Sequence, residues 1–197
     1  VSEDGQEFTP REGTGLGVLR DDLHDPSDFS ATPQASSPEL MVCTKDSIRS
    51  TLVRGAYRDY LGIRVRDESG RLVGEHRFLG LFTSSAYAES VLDVPILRGK
   101  AGAIMDSIGY APDSYGGQAV MAALDAYPRD ELLQASAEEL TPVIDAVSRL
   151  GERNRLRVFV RAGRWGRFLS ALVYFPRDRY NTAVRERMQR TILDVVG

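Results

Sequence analysis

The chain has 197 residues, 42% hydrophobic, 27% charged and 8% aromatic, with 18 glycines, nine prolines and one cysteine. That composition excludes a disulfide scaffold, a collagen-like repeat and a wholly disordered chain, and allows one ordinary domain or two small ones. The formal net charge of -3 hides an asymmetry, because residues 1–40 carry nine acids and two arginines while residues 151–190 carry eleven arginines and three acids.

Residues 1–38 read as a flexible acidic N-terminal segment: 21–38 is rich in Asp, Ser and Pro and has no hydrophobic period. Gly15-Leu16-Gly17-Val18-Leu19-Arg20 is a candidate short strand. Leu40 to Thr44 is an apolar run predicted as a strand. From Tyr57 to Val65 the pattern alternates, placing Tyr57, Leu61, Ile63 and Val65 on one face and Arg58, Tyr60 and Arg64 on the other. Asp67-Glu68-Ser69-Gly70 is a turn signal, and Leu72 to Phe82 returns as a second strand, so 57–83 is predicted as a hairpin. Gly74 and Gly80 inside it suggest a bulge or a close backbone approach.

The middle third turns helical. Leu97, Ala101, Ile104, Met105 and Ile108 share one stripe, with Gly109 as the stop. Val120, Met121, Leu124 and Tyr127 form another, ended by Pro128. Ser136-Ala137-Glu138-Glu139 is a capping-box sequence, and Thr141-Pro142 is an alternative start for the same helix, whose face is Val143, Ile144, Val147 and Leu150, with Gly151 as the stop. The last third returns to strand. Leu156, Val158 and Val160 alternate with Arg155, Arg157 and Arg161, which predicts an arginine-lined outer face. Ala162 to Gly166 is a turn. Phe168 to Phe175 is apolar on both faces apart from Ser170 and reads as a central strand. A final helix starts near Asn181, with Val184, Met188, Ile192 and Val195 as its buried stripe. Strands, helices, strands, helix make an α+β fold with a largely antiparallel sheet and flanking helices.

No familiar catalytic pattern stands out. Gly13-Thr14-Gly15-Leu16-Gly17 has GxGxG spacing rather than the dinucleotide fingerprint, and polar residues precede it. His24 and His76 are the only histidines and neither sits at ligand spacing from Cys43, so no metal site is expected. Cys43 is expected to be a small core residue. Of the 25 basic residues only Lys45 and Lys100 are lysines. The arginines around Trp165 raise a nucleic-acid reading, but their alternation with valines has the simpler account of a strand face, so no nucleic-acid partner is expected. No run approaches the roughly 18 apolar residues of a membrane-crossing helix and no basic-plus-apolar leader opens the chain, so cytoplasmic residence without a membrane partner is the expectation. The opening at Val1 and the close at Asp194-Val195-Val196-Gly197 read as cuts within a longer polypeptide.

Three segments resist a purely structural reading: Arg77 to Ser84, Tyr127-Pro128-Arg129-Asp130-Glu131-Leu132, and Tyr174-Phe175-Pro176-Arg177-Asp178-Arg179-Tyr180-Asn181-Thr182. The repeated Pro-Arg-Asp places opposite charges at element ends, where the Asp can cap a helix and the arginines can fork onto carboxylates. An anionic-ligand site is the sharper alternative. In this order, with Asp59-Tyr60-Leu61-Gly62-Ile63 and Gly74-Glu75-His76, these segments resemble the N-terminal, non-catalytic part of the large bacterial NAD-specific glutamate dehydrogenases. The resemblance covers roughly residues 39–193.

The resemblance implies PAS-like and ACT-like sensory modules: a PAS-like α+β region over 39–152, and a strand hairpin and helix over 153–197 that would begin an ACT-like domain. It implies that this chain has no catalytic residue and no cofactor of its own, with NAD bound elsewhere in the parent enzyme. The implied partners are the catalytic and neighbouring domains of the same polypeptide, further copies of the parent in a homo-oligomer, and an amino-acid or small-anion effector. Arg77, Thr83, Ser84 and Tyr87 are the candidate ligand-binding residues, and Arg177, Asp178, Arg179 and Tyr180 the candidate interdomain contacts. The alternative is a structural scaffold for oligomer assembly that binds no ligand.

Overall fold

The computed structural model describes residues 11–20, 39–50, 55–150, 156–163 and 168–196. Expectations for residues 1–10 and 21–38, for Arg155 and Gly151, and for the tip of the 162–166 turn lie outside the described residues.

Alternating polar and apolar residues build a three-stranded antiparallel sheet in the order β1-β2-β3: β1 Met41–Arg49, β2 Tyr57–Arg66 and β3 Leu72–Gly80. The predicted hairpin is present. Its turn is held by Asp67, whose Oδ1 accepts from the Ser69 and Arg71 backbone N–H groups, each at 3.0 Å, and Gly70 takes the left-handed φ of +83° that the turn requires. β1 runs five residues further than its apolar start suggests. The register shifts beside Gly74, as a bulge would, whereas Gly80 pairs regularly with Asp59 in open space. The close approach belongs to Gly62, where a Cβ would lie 2.6 Å from the Glu75 carboxyl carbon.

The sheet turns its faces opposite to the apolar pattern. Arg58, Tyr60 and Arg64 are buried, whereas Tyr57, Ile63 and Val65 are exposed, the last two at 37% each. Polar side chains can line a buried face when they satisfy one another. Here Arg58 Nε donates to Asp46 Oδ2 at 2.6 Å, the Tyr60 hydroxyl donates to Glu75, and Arg77 Nε donates to Glu75 Oε1 at 3.2 Å. Burial pushes the Tyr60 phenol well above its ordinary pKa. Among the described residues, Val42, Tyr60 and the partly buried Leu79 form the apolar cluster on this face.

The helical third matches its pattern more closely. Five helices follow the sheet: α1 Ser84–Ala88, α2 Pro95–Ile108, α3 Tyr115–Ala126, α4 Arg129–Gln134 and α5 Ala137–Ser148. α2 opens with proline in its first turn and closes on left-handed Gly109. α3 is capped by the Ser114 hydroxyl, which accepts from the Gly117 N–H. The Ser136–Glu139 capping box is fully formed, so α5 starts there and Pro142 falls inside the helix. Glu138 and Pro142 are both exposed, and water can replace the donor that proline lacks. α5 packs on α2 and α3 around the main core, which contains Leu97, Ile104, Val120, Leu124, Leu132, Leu140 and Ile144.

A separate antiparallel hairpin comes next, β4 Arg157–Ala162 and β5 Leu169–Tyr174, followed by α6 Thr182–Val196. Two expectations are corrected here. Among the described residues β5 has a single partner strand, with half-buried flanks, rather than a central place in a larger sheet. The valines of β4, not all its arginines, face outward: Val158 and Val160 are 49% and 60% exposed, while Arg161 is half-buried. In α6 the stripe Val184, Met188 and Ile192 is only half-buried, and Val195 is 80% exposed. Upstream, the candidate strand at Gly15–Arg20 is instead a 3-10 turn over Gly17–Leu19, opened by a left-handed Gly17.

The architecture is therefore α+β, with antiparallel sheets and flanking helices.

Candidate functional site

α4 has six residues, too few to form a stable helix alone, so its position is set by what its side chains and backbone hold. Consecutive residues reach different parts of the molecule. Arg129, with a side chain 6% exposed, donates from NH2 to the Glu89 carbonyl at 2.6 Å and lies 3.8 Å from Asp125, whose carboxylate accepts the Val91 N–H at 2.9 Å. Asp130 faces the three-stranded sheet, where Oδ1 lies 3.0 Å from Lys45 Nζ and accepts the Tyr87 hydroxyl at 3.0 Å. Glu131 faces the hairpin, where Oε2 accepts Arg161 Nε at 2.8 Å. At the far end Lys100 caps the helix, donating to the carbonyls of Leu132 at 2.5 Å and Ala135 at 2.6 Å. The segment Tyr127–Leu132, one of the three that resisted a purely structural reading, is thus the junction of the sheet, the helices and the hairpin.

The sheet side of this junction is a four-residue network. Lys45 Nζ donates to Asp59 Oδ1 at 2.5 Å, and Asp59 Oδ2 accepts the Phe82 N–H at 2.9 Å. Burial alone would lower the Lys45 pKa, but the hydrogen bonds to Asp59 and Asp130 outweigh it and the net shift is upward. The ammonium therefore stays charged at neutral pH, and the stability it contributes is present there and lost only as pH rises above the ordinary lysine range. Tyr87 is pushed up by burial and then by the charge of Asp130. Cys43, on the same face of β1, is pushed up to about 12 by burial and then by Asp59, so its thiol is neutral at physiological pH and has the character of a core residue.

The hairpin side is aromatic. Phe159 and Tyr174 meet edge to face with centroids 5.9 Å apart, and Leu172 packs against the main helical core. Burial, then the charge of Glu131 and then Tyr174, push the Tyr127 phenol up to about 12.

The four candidate ligand-binding residues do not meet at one place. Arg77 lies on the Tyr60 face of the sheet, held by Glu75, whereas Tyr87 joins the network on the Asp59 face. Thr83 and Ser84 are exposed at the start of α1, with the Thr83 hydroxyl 2.8 Å from that of Ser85. The four candidate interdomain residues form an exposed 3-10 turn and its exit between β5 and α6, where Arg179 and Asp178 lie 3.9 Å apart and Tyr180 is 53% exposed. Neither aspartate of the two Pro-Arg-Asp repeats caps a helix. Asp130 turns to the sheet, and α6 is capped by Asn181, whose Oδ1 accepts the Val184 N–H at 2.9 Å.

Sequence reasoning singled out the Tyr127–Leu132 segment but not its partners Lys45, Lys100 and Arg161. The available signal was that the only two lysines of the chain both serve this junction.

The residues around Gly13–Gly17 do not fit a dinucleotide. A three-residue 3-10 turn follows where a helix N-terminus would have to receive the pyrophosphate, and a Cβ at Gly15 would meet the Leu19 carbonyl oxygen at 2.4 Å. Among the described residues no group of three His, Cys, Asp or Glu side chains is placed to hold a metal ion, and no helix is long and apolar enough to cross a membrane.

Comparison with known proteins matches residues 94–153 to the family model described as glutamate dehydrogenase, helical motif 1, and residues 157–197 to the glutamate dehydrogenase ACT2 domain. The first match spans α2 to α5 and the second spans the hairpin and α6. The chain is 40% identical over 157 residues, 80% of its length, to the NAD-specific glutamate dehydrogenase of Halomonas elongata. It is 40% identical over 178 residues, 90% of its length, to that of Pseudomonas aeruginosa, and 33% identical over 185 residues, 93% of its length, to that of Mycobacterium tuberculosis. The chain spans about a tenth of the length of each of these relatives, 10% of the first and 11% of the other two.

Proposed function

Because this chain belongs to the family of large NAD-specific glutamate dehydrogenases, we propose that it works within such an enzyme as a non-catalytic assembly and regulatory module. The parent reaction is the oxidative deamination of L-glutamate to 2-oxoglutarate and ammonium, with NAD reduced to NADH, carried out in the cytoplasm by catalytic residues outside this chain. The module docks on neighbouring domains of the same polypeptide and, through them, helps to organise a homo-oligomer.

The observation that carries this reading is the outward face of the hairpin that matches the ACT2 model. Val158 and Val160 lie opposite Val173 and Ala171 in the ladder, and with Leu156 they present apolar side chains 49–60% exposed. The inner face, with Phe159, Arg161, Leu172 and Tyr174, packs toward the helices. A two-stranded hairpin is marginal by itself, so an apolar outer face suits a sheet completed by a further domain. The separation of Arg77 from Tyr87 favours assembly over the binding of an effector between them.

Charging this face tests the reading. Val158→Glu/Val160→Glu in the intact dehydrogenase is expected to remove the assembled species in sedimentation velocity. The same pair of changes in the chain alone is expected to alter its stability by less than about 1 kcal/mol, because both sites are exposed. Unchanged sedimentation of the intact enzyme would remove the basis for a docking role.

A further inference from the structure

The geometry points to α4 as a coupling element, through which loosening of the three-stranded sheet is transmitted to the hairpin and the reverse. Its two outward ties are carried by adjacent residues: Asp130 to Lys45 of β1 at 3.0 Å, and Glu131 to Arg161 of β4 at 2.8 Å. Among the described residues β1 and β4 belong to different sheets and share no ladder hydrogen bond, and this one helical turn reaches both. A six-residue helix has little stability of its own and occupies either its docked position or none. Both ties therefore bias one equilibrium, the docking of α4. Cutting either tie raises the population in which α4 is undocked, and in that population the other tie is absent too.

The remaining contacts fit this role. Lys100 and Arg129 fasten the two ends of α4 to the helical body, through the carbonyls of Leu132 and Ala135 at one end and of Glu89 at the other. Those anchors make its docked position single rather than graded. The Glu131–Arg161 tie is largely shielded, its side chains 13% and 17% exposed, whereas in the Asp130–Lys45 tie the lysine is 20% and the aspartate 40% exposed. Shielded charge-assisted bonds respond to loss of a partner more sharply than surface pairs. The coupling stands whether or not the outer face of the hairpin docks on another domain.

Native-state hydrogen exchange of the whole chain tests the coupling. In Lys45→Met, the ladder amides of β4 are expected to exchange about tenfold faster, over and above any change in α5. In Arg161→Met, the excess acceleration is expected at Cys43 to Asp46 of β1, so a failure of one variant to fold leaves the reciprocal measurement. Because α2 is tied to α4 through Lys100, α5 is the reference that separates local undocking from a general loss of stability. If the distant strand accelerates no more than α5 in either variant, α4 does not couple the two sheets.

Discussion

Asp46→Ala is expected to destabilise the chain by about 3–5 kcal/mol, read from the midpoint of urea unfolding at constant slope. The Asp46 side chain is fully buried on the Tyr60 face of the sheet, and its Oδ2 accepts Arg58 Nε at 2.6 Å while a second guanidinium nitrogen of Arg58 also contacts it. Arg58 is itself 11% exposed at the side chain, so removing the carboxylate leaves a cation in a place with little water to solvate it. The loss also falls beside the irregular stretch of the β1–β2 ladder between Lys45 and Arg49, where fewer regular pairings hold the strands together. Asp46→Asn, which keeps shape and one acceptor, is expected to cost less than the alanine change. A loss below about 1 kcal/mol for Asp46→Ala would mean that this pair is solvated rather than sealed.

The second large effect is expected in the helical core. Ile144 is fully buried on α5, the helix that packs against both α2 and α3. Truncation to alanine removes three carbons from a site shared with Leu97, Ile104, Val120 and Leu124, and a well-packed core relaxes only partly around such a gap. A loss of about 2–5 kcal/mol is expected for Ile144→Ala, against less than about 0.5 kcal/mol for Val160→Ala on the exposed face of β4. Both are apolar residues in regular elements, so most of the difference comes from burial. Equal losses at the two sites would contradict the placement of the core among α2, α3 and α5.

These two sites also show what the sequence makes legible. The longer helices α2, α3 and α5 announce themselves because their buried stripes are apolar and their ends carry local signals, such as Gly109 closing α2 and the Ser136–Glu139 box starting α5. The short α1 and α4, the latter burying Arg129, carry no such stripe. Hydrophobic alternation misleads on the sheet faces because it counts Arg58, Tyr60 and Arg64 as outward, and it cannot register that Asp46 and Glu75, 12 and 15 residues away in the chain, bond two of them. β4 repeats the inversion, with Arg161 drawn inward by Glu131 and the valines left outside. The junction at α4 was visible only as an unexplained motif. Its partners Lys45, Lys100 and Arg161 lie some 30 to 85 residues from it, and nothing local distinguishes an Asp that caps a helix from one that reaches across to another element. The glutamate dehydrogenase resemblance, by contrast, rested on collinear segments and agrees with the helical-motif and ACT2 matches.

An assembly role and an effector-sensing role part most clearly in a titration. The purified chain, shown to be folded by a cooperative thermal transition, would be titrated calorimetrically with single amino acids, 2-oxoglutarate and nucleotides. With Arg77 held by Glu75 on one face of the sheet and Tyr87 by Asp130 on the other, no saturable heat is expected from any of them. Saturable 1:1 heat with one ligand, lost in both Arg77→Ala and Tyr87→Phe, would contradict the account and make this chain a sensor.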